Sequence, residues 1–258
     1  KMDSNFLLVA SRMHLIDDTK KPNCPCCGKR GEDVLHMLYC QSPHIIKKRT
    51  ESLESLERWM EHMNTDPDIT HIIMNTLRNG PSSRFRDALK EDMNHLIKEA
   101  VFIQDRQSRL QFHKGRLAIQ WGKAQEKYFN ETYGHTRKRQ TRWAILFVNK
   151  INTLNMELWN TRNQVAAEAA KIHAQAEERV RLERLIHDEF EKGINGIRPI
   201  DQSIILNTNV EEVLQLSNRE RQAWLNMVET VRKRHDRVHK TSMTSMRAAL
   251  DKWILRND

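Results

Sequence analysis

Apolar positions recur at helical spacing along most of the chain. Leu53, Leu56, Trp59, Met60 and Met63 follow a 3.6-residue period, which predicts a helix from about Ile46 that ends in the 64–67 stretch. Ile69, Ile72, Ile73, Met74 and Leu77 predict a second, capped by Asp68 and stopped at Asn79-Gly80. Pro81 suits the start of a third, with Phe85, Leu89, Met93 and Leu96 as its buried stripe. Phe112, Leu117, Trp121, Tyr128 and Phe129 carry a helical pattern through 112–133. The clearest stripe of all is Trp143, Phe147, Ile151, Leu154 and Leu158, spaced 4, 4, 3 and 4, a core face rather than a stacking platform.

The span from about 138 to 192 holds neither Gly nor Pro, so it forms one very long helix or two broken near 160–163. Its Ala- and Glu-rich second half reads as a solvated arm or a helix paired with another segment. Gly193, Gly196 and Pro199 mark 193–209 as the main linker. Beyond it, 210–216 forms a short helix. Ser217 caps another that carries Ala223, Trp224, Met227, Val228 and Val231, and a last helix holds Met246, Leu250, Trp253 and Ile254. Strand is expected only at 204–206 and in a short hairpin near the cysteines.

Composition agrees with this reading and narrows it. Of 258 residues only 8 are Gly and 6 Pro, so breakers are too few for a loop-rich or all-β chain. No apolar run reaches the roughly 18 residues a membrane span requires. Charge is distributed unevenly. Between 106 and 150, eleven Lys and Arg face only Glu126 and Glu131, giving +9, which equals the net charge of the whole chain. Polyanions are natural partners for such a stretch, and Lys114, Arg116, Arg137, Lys138, Arg139 and Arg142 are its candidate phosphate contacts. The cluster 232–240 is a second basic run.

All four cysteines fall between 24 and 40. Cys24, Cys27, His36 and Cys40 read as C-x2-C-x8-H-x3-C, with Gly28 free to take the positive φ that a tight metal-binding turn needs. His36 and Cys40 lie one helical turn apart and can share a face. Three soft thiolates and one imidazole favour a single tetrahedral zinc ion, and four protein ligands make the site structural. Cys26 could replace either neighbouring cysteine. His44 competes with His36, although Pro43 is expected to break the helix before it. Disulfides would need an oxidising compartment, which nothing in the chain suggests; a nuclear or cytoplasmic setting is expected. Asp17-Asp18 reads as a solvated turn, and His62, His71 and His95 as surface or interface histidines rather than ligands.

These readings give a mainly α chain: a zinc-knuckle module at 1–45, a multi-helix domain at 46–192 with one long helix and the basic segment 106–150, the linker, and a C-terminal helical segment at 210–258. Several segments together resemble the C-terminal region of retroelement reverse-transcriptase polyproteins, especially lineage-specific families of diatoms and related algae. The carrying residues are Cys24-Pro25-x-Cys27-Gly28, Glu32-Asp33-Val34-x-His36-x3-Cys40 and Trp59, then His113-Lys114-Gly115-Arg116-Leu117-x3-Trp121, Arg142-Trp143 and Glu157-Leu158-Trp159-Asn160-x-Arg162-Asn163. The resemblance covers about residues 1–170 and implies a zinc knuckle and helical tail downstream of a polymerase, with the chain, opening mid-pattern on Lys1, as a fragment of a longer protein. It implies nucleic-acid binding without inherited catalysis. No glycine-rich phosphate loop, nucleophile elbow or His-Glu-x-x-His helix is present, so neither enzymatic activity nor a small-molecule substrate is expected. The competing expectation is a helical scaffold that oligomerises through the long helix, with 166–190 against another chain.

Overall fold

Helix punctuation is where sequence and structure first meet. The computed structural model describes residues 7–134 and 140–257, with 140 and 251–257 described by backbone alone. Among the described residues the fold is helical, without strands; one isolated antiparallel bridge joins Asn23 to Arg30 at the cysteine loop. Two compact units divide at 169/170.

The first unit opens with α1 (Ala10–Ile16) and α2 (Val34–Tyr39). In α3 (Pro43–His62) Pro43 does not break the helix but begins it. Ser42 caps the end by accepting from the Ile45 amide, and a proline at the first position loses no intrahelical bond. The same pattern recurs in α4 (Pro67–Arg78), whose cap is Asp66 rather than Asp68. The expected helix from Pro81 is absent. Its place is taken by a turn and the short 3-10 helix Phe85–Ala88, and α5 (His95–Gln107) starts only where Asn94 caps it. The 112–133 pattern divides into α6 (Arg109–His113) and α7 (Ile119–Tyr133). Gly115 makes that break at φ +78°, where a Cβ would lie 2.7 Å from Val148 Cγ1, so glycine is required for conformation and for space.

Next comes α8 (Gln140–Lys192), a single helix with no break near 160–163. Trp143, Phe147, Ile151, Leu154 and Leu158 are all buried, as their spacing requires, and the Trp143 and Phe147 rings stack 5.2 Å apart. They share one core with Ile69, Ile73, Phe85, Phe112 and Trp121. The cysteine loop's Cys24, Met37, Leu38 and Cys40 belong to that core too, so the expected 1–45 module does not stand apart from the helices that follow. Buried glutamines are satisfied: Gln125 accepts from Asp66 N at 2.9 Å and donates to Asn64 O at 3.0 Å, and Gln104 makes the same two-way bond with Ala118 N and Arg116 O.

The second unit begins within α8. Residues 167–177 are exposed on every side, and helix there rests on Ala, Glu, Gln and Lys propensity. Leu182 and Ile186 are buried again, packed with Trp224 and Val228. The expected linker 193–209 is folded: it holds the 3-10 helix Pro199–Asp201 and α9 (Ser203–Leu206), and buries Ile197 and Ile205 in the second core. The expected strand at 204–206 is therefore helix. After α10 (Val210–Gln215), α11 (Asn218–Asn257) runs without a break through the two helices expected there. Its buried face is Arg221, Trp224, Leu225, Val228 and Val231; Ala223 and Met227 face solvent, each one residue to the side of that stripe. Met246 and Leu250 are exposed, while Trp253 and Ile254 lie outside the described side chains.

Candidate metal centre

Pro22 to Gly31 folds into a tight loop because its backbone closes on itself. Cys24 N donates to Lys29 O and Gly28 N to Cys24 O, each at 2.8 Å, and Gly31 N donates to Pro22 O at 2.8 Å. Gly28 and Gly31 both sit at positive φ, which this double reversal demands. Asp33 then caps α2, accepting from His36 N at 2.6 Å, and so fixes the turn that carries His36 towards the loop.

The four expected residues converge. The ligand atoms of Cys24, Cys27, His36 and Cys40 lie within 4.8 Å of one another, a set able to hold one metal ion. Cys24 and Cys40 sulfurs are 3.8 Å apart, and Cys27 Sγ is 3.3 Å from His36 Nε2. All four cysteines are free thiols, and 3.8 Å is far longer than the roughly 2.05 Å of a disulfide. Cys26 stays outside the cluster: its Sγ faces the Arg162 carbonyl at 4.0 Å. His44 is exposed in the first turn of α3 and takes no part.

Electrostatics set the four sulfurs apart. Burial pushes the Cys24 and Cys40 thiols up, partly offset by amide N–H groups: those of Cys26 and Cys27 towards Cys24, and that of Ser42 towards Cys40. Burial pushes Cys26 to about 11, with the nearby Cys40 and Glu32 adding to it. In Cys27 burial works upward too, but the Lys29 N–H and the Cys40 and Cys24 side chains outweigh it and the thiol is lowered. Three thiolates this close repel one another in a poorly solvated site, and a bound cation is what removes that repulsion.

Sequence reasoning missed what holds the centre in place. Glu32, between the two ligand pairs, is fully buried. Its carboxylate accepts from Ala10 N at 2.7 Å and takes a two-point bond from Arg162 on α8, Nε to Oε1 at 3.1 Å and Nη2 to Oε2 at 2.7 Å. The Arg162 guanidinium lies 5.3 Å over the Trp159 ring. A second polar bridge joins α2, α6 and α8. Asn155 Nδ2 donates to the His113 carbonyl at 2.7 Å, so Asn155 Oδ1 faces His113 Nδ1 at 3.2 Å and must accept. That leaves Nε2 to accept from the Tyr39 hydroxyl at 3.1 Å. Burial, then the Arg109 charge, pushes His113 down to about 3, so it is neutral. The one signal in the sequence for Glu32, Arg162 and His113 is their place in the motifs that carry the resemblance, which says nothing of their pairing.

The basic stretch is placed unevenly. Arg106, Arg116, Lys123 and Arg142 are exposed, Lys114 and Lys150 are half-buried, and none of these pairs with a carboxylate among the described residues. Lys127 pairs with Glu131 at 3.7 Å. Arg109 is not at the surface: it is buried under the Thr76 and Gly80 carbonyls. Arg137, Lys138 and Arg139 lie outside the described residues. In contrast, the first half of the second basic run is engaged, while Arg237 and Lys240 make no ion pair among the described residues. Arg232 bonds Glu189 at 2.6 Å and the Gly193 carbonyl at 2.9 Å, Lys233 pairs with Glu229, and Arg234 with Asp201. His62, His71 and His95 are exposed, as expected. Among the described residues no helix is long and apolar enough to cross a membrane. Compared with known proteins, the chain matches no family model, no curated protein and no solved structure.

Proposed function

We propose that this chain is a non-catalytic, zinc-stabilised helical module that binds nucleic acid through the 106–150 stretch without reading sequence. The observation that carries this is the contrast in pairing. Among the described residues, the basic side chains of 106–150 are free of carboxylates but for Lys127, whereas more than half of those of the second unit are paired, chiefly with Glu183, Glu189, Asp201 and Glu229. Unpaired Lys and Arg are what a phosphate backbone recruits, and paired ones what a scaffold uses. Without a base-reading element, sequence preference is expected to be slight.

Zinc is the metal the donor set supports best. Two thiolates about 2.3 Å from a tetrahedral zinc stand about 3.8 Å apart, and Cys24 and Cys40 have that separation. Four protein donors leave no position for substrate, so the ion would hold structure. We extend the same proposal to origin: a retroelement-derived domain, in which the shared motifs correspond to the clasp and its supports rather than to chemistry.

The test is a mobility shift with single- and double-stranded DNA and RNA across salt concentrations, with metal analysis of the same sample. One zinc per chain is expected, and log affinity falling against log salt at roughly 0.9 per phosphate contact on duplex DNA. Charge reversal at Arg116 and Arg142 should lower that slope by roughly one for each phosphate no longer held. No binding at low salt, or a flat slope, would sink the nucleic-acid reading. A self-associating scaffold is the second reading, favoured by Val238, Met243, Met246 and Leu250 lying exposed on α11. Light scattering that shows a monomer at every concentration counts against it.

A further inference from the structure

Between the loop that follows α4 and the helices α5 and α6 lies a polar cavity of about 380 Å³, lined by Ser82, Ser83, Arg84, Arg86, Asp105 and Arg109. Arg109 is its unusual member. The residue is only 9% exposed, and its guanidinium sits 5.2 Å from the centre of the Phe85 ring. Nη2 donates to the Thr76 and Gly80 carbonyls, while Nε and Nη1 have no partner. A buried guanidinium with two idle nitrogens and no carboxylate is uncommon, because buried charge is ordinarily matched.

The one acid in the cavity is not free to match it. Asp105 accepts from Phe85 N at 2.9 Å and from Arg86 N at 3.2 Å, and pairs with Arg86 Nε at 2.8 Å. Subtracting that pair leaves Arg84 and Arg109 as two unmatched cations. Arg84 makes no ion pair among the described residues, and the Ser82 and Ser83 hydroxyls donate to no protein acceptor there. Beside the apolar Pro81 and Phe85, the remaining side chains of the lining are two hydroxyls and two positive charges. A tetrahedral oxyanion meets both requirements, with several acceptor oxygens for Arg84 and the serines and enough charge to set against two guanidinium groups.

We infer that this cavity is a phosphate site, gripped by Arg84 and the serine hydroxyls, with the buried Arg109 charge behind them. The group it takes is a phosphate oxyanion, carried either by a nucleic-acid backbone or by a small phosphorylated molecule. The inference does not depend on nucleic-acid binding along 106–150, since free phosphate is itself the probe.

Calorimetric titration of the full chain with inorganic phosphate, against chloride at matched ionic strength, tests it. Saturable binding is expected, and Arg84→Ala should weaken it by about tenfold or more, the loss of a charge-assisted hydrogen bond. Arg84 has no ion pair to lose, so this variant keeps its fold where Arg109→Met could lose it; circular dichroism checks both. Phosphate that displaces a fluorescent oligonucleotide from wild type but not from Arg84→Ala identifies the backbone as the source. Saturable phosphate binding that leaves the oligonucleotide in place identifies a small phosphate. Absence of phosphate binding beyond the chloride control, or binding that Arg84→Ala leaves unchanged, overturns the site.

Discussion

Glu32 shows how much can rest on one carboxylate. With Ala10 N and both prongs of Arg162 bonded to it, no face of the group is left for water. Replacing Glu32 by Gln leaves Arg162 only 12% exposed and without its counter-charge. A loss of about 3–5 kcal/mol in urea unfolding is expected from breaking one side of such a pair. The double variant Glu32→Leu with Arg162→Met should lose less than the sum of the singles, because it strands no charge; strict additivity would count against the pair. His113 makes a second prediction with a defined sign. Its folded value near 3 lies below the roughly 6.5 of an unfolded histidine, so the unfolded chain takes up the proton more readily. The bridge's contribution is complete above about pH 6.5 and is lost as pH falls towards about 3, by about 1.4 kcal/mol per pH unit from this group. Titrating stability in His113→Gln should remove that part of the slope, and an unchanged slope would place the proton elsewhere.

At the level of elements, periodicity carried the long stripes and failed at their ends. Trp143, Phe147, Ile151, Leu154 and Leu158 could be read directly, because a 3.6-residue repeat over about sixteen residues fits no other element. Pro43 misled: a proline that follows a serine cap looks the same in sequence as one that stops a helix, and only the Ser42 bond to Ile45 N decides between them. The metal cluster was legible because ligand type and spacing constrain each other. Its supports were not, since Glu32 and Arg162 stand 130 positions apart and no local pattern links them. The fate of Arg109 was hidden likewise, because charge counting treats every arginine as surface. Within α8, one helix holds two environments. Hydrogen exchange should be faster at 167–177, where every residue is exposed, than at 143–158, where one face is buried. Equal protection along the helix would show that 167–177 is covered in solution.

For the whole molecule, two cores imply two thermal transitions. The cysteine cluster shares its core with α3, α4, α7 and the first part of α8, and none of its residues belongs to the core of Trp224 and Val228. Removing the metal with a chelator should therefore shift one calorimetric transition downward and leave the other in place. A single transition, or two that both move, would contradict that division. The Glu32–Arg162 bond also bears on the order of events during synthesis. The cysteine loop is complete at residue 40, yet the arginine that neutralises its buried carboxylate is encoded far downstream. At about 5–20 residues per second, a nascent chain spends on the order of ten seconds with the loop made and its counter-charge unmade. Ribosomes stalled in that interval would carry an N-terminal segment that cannot yet close, and protease sensitivity of the loop should fall only once Arg162 has emerged.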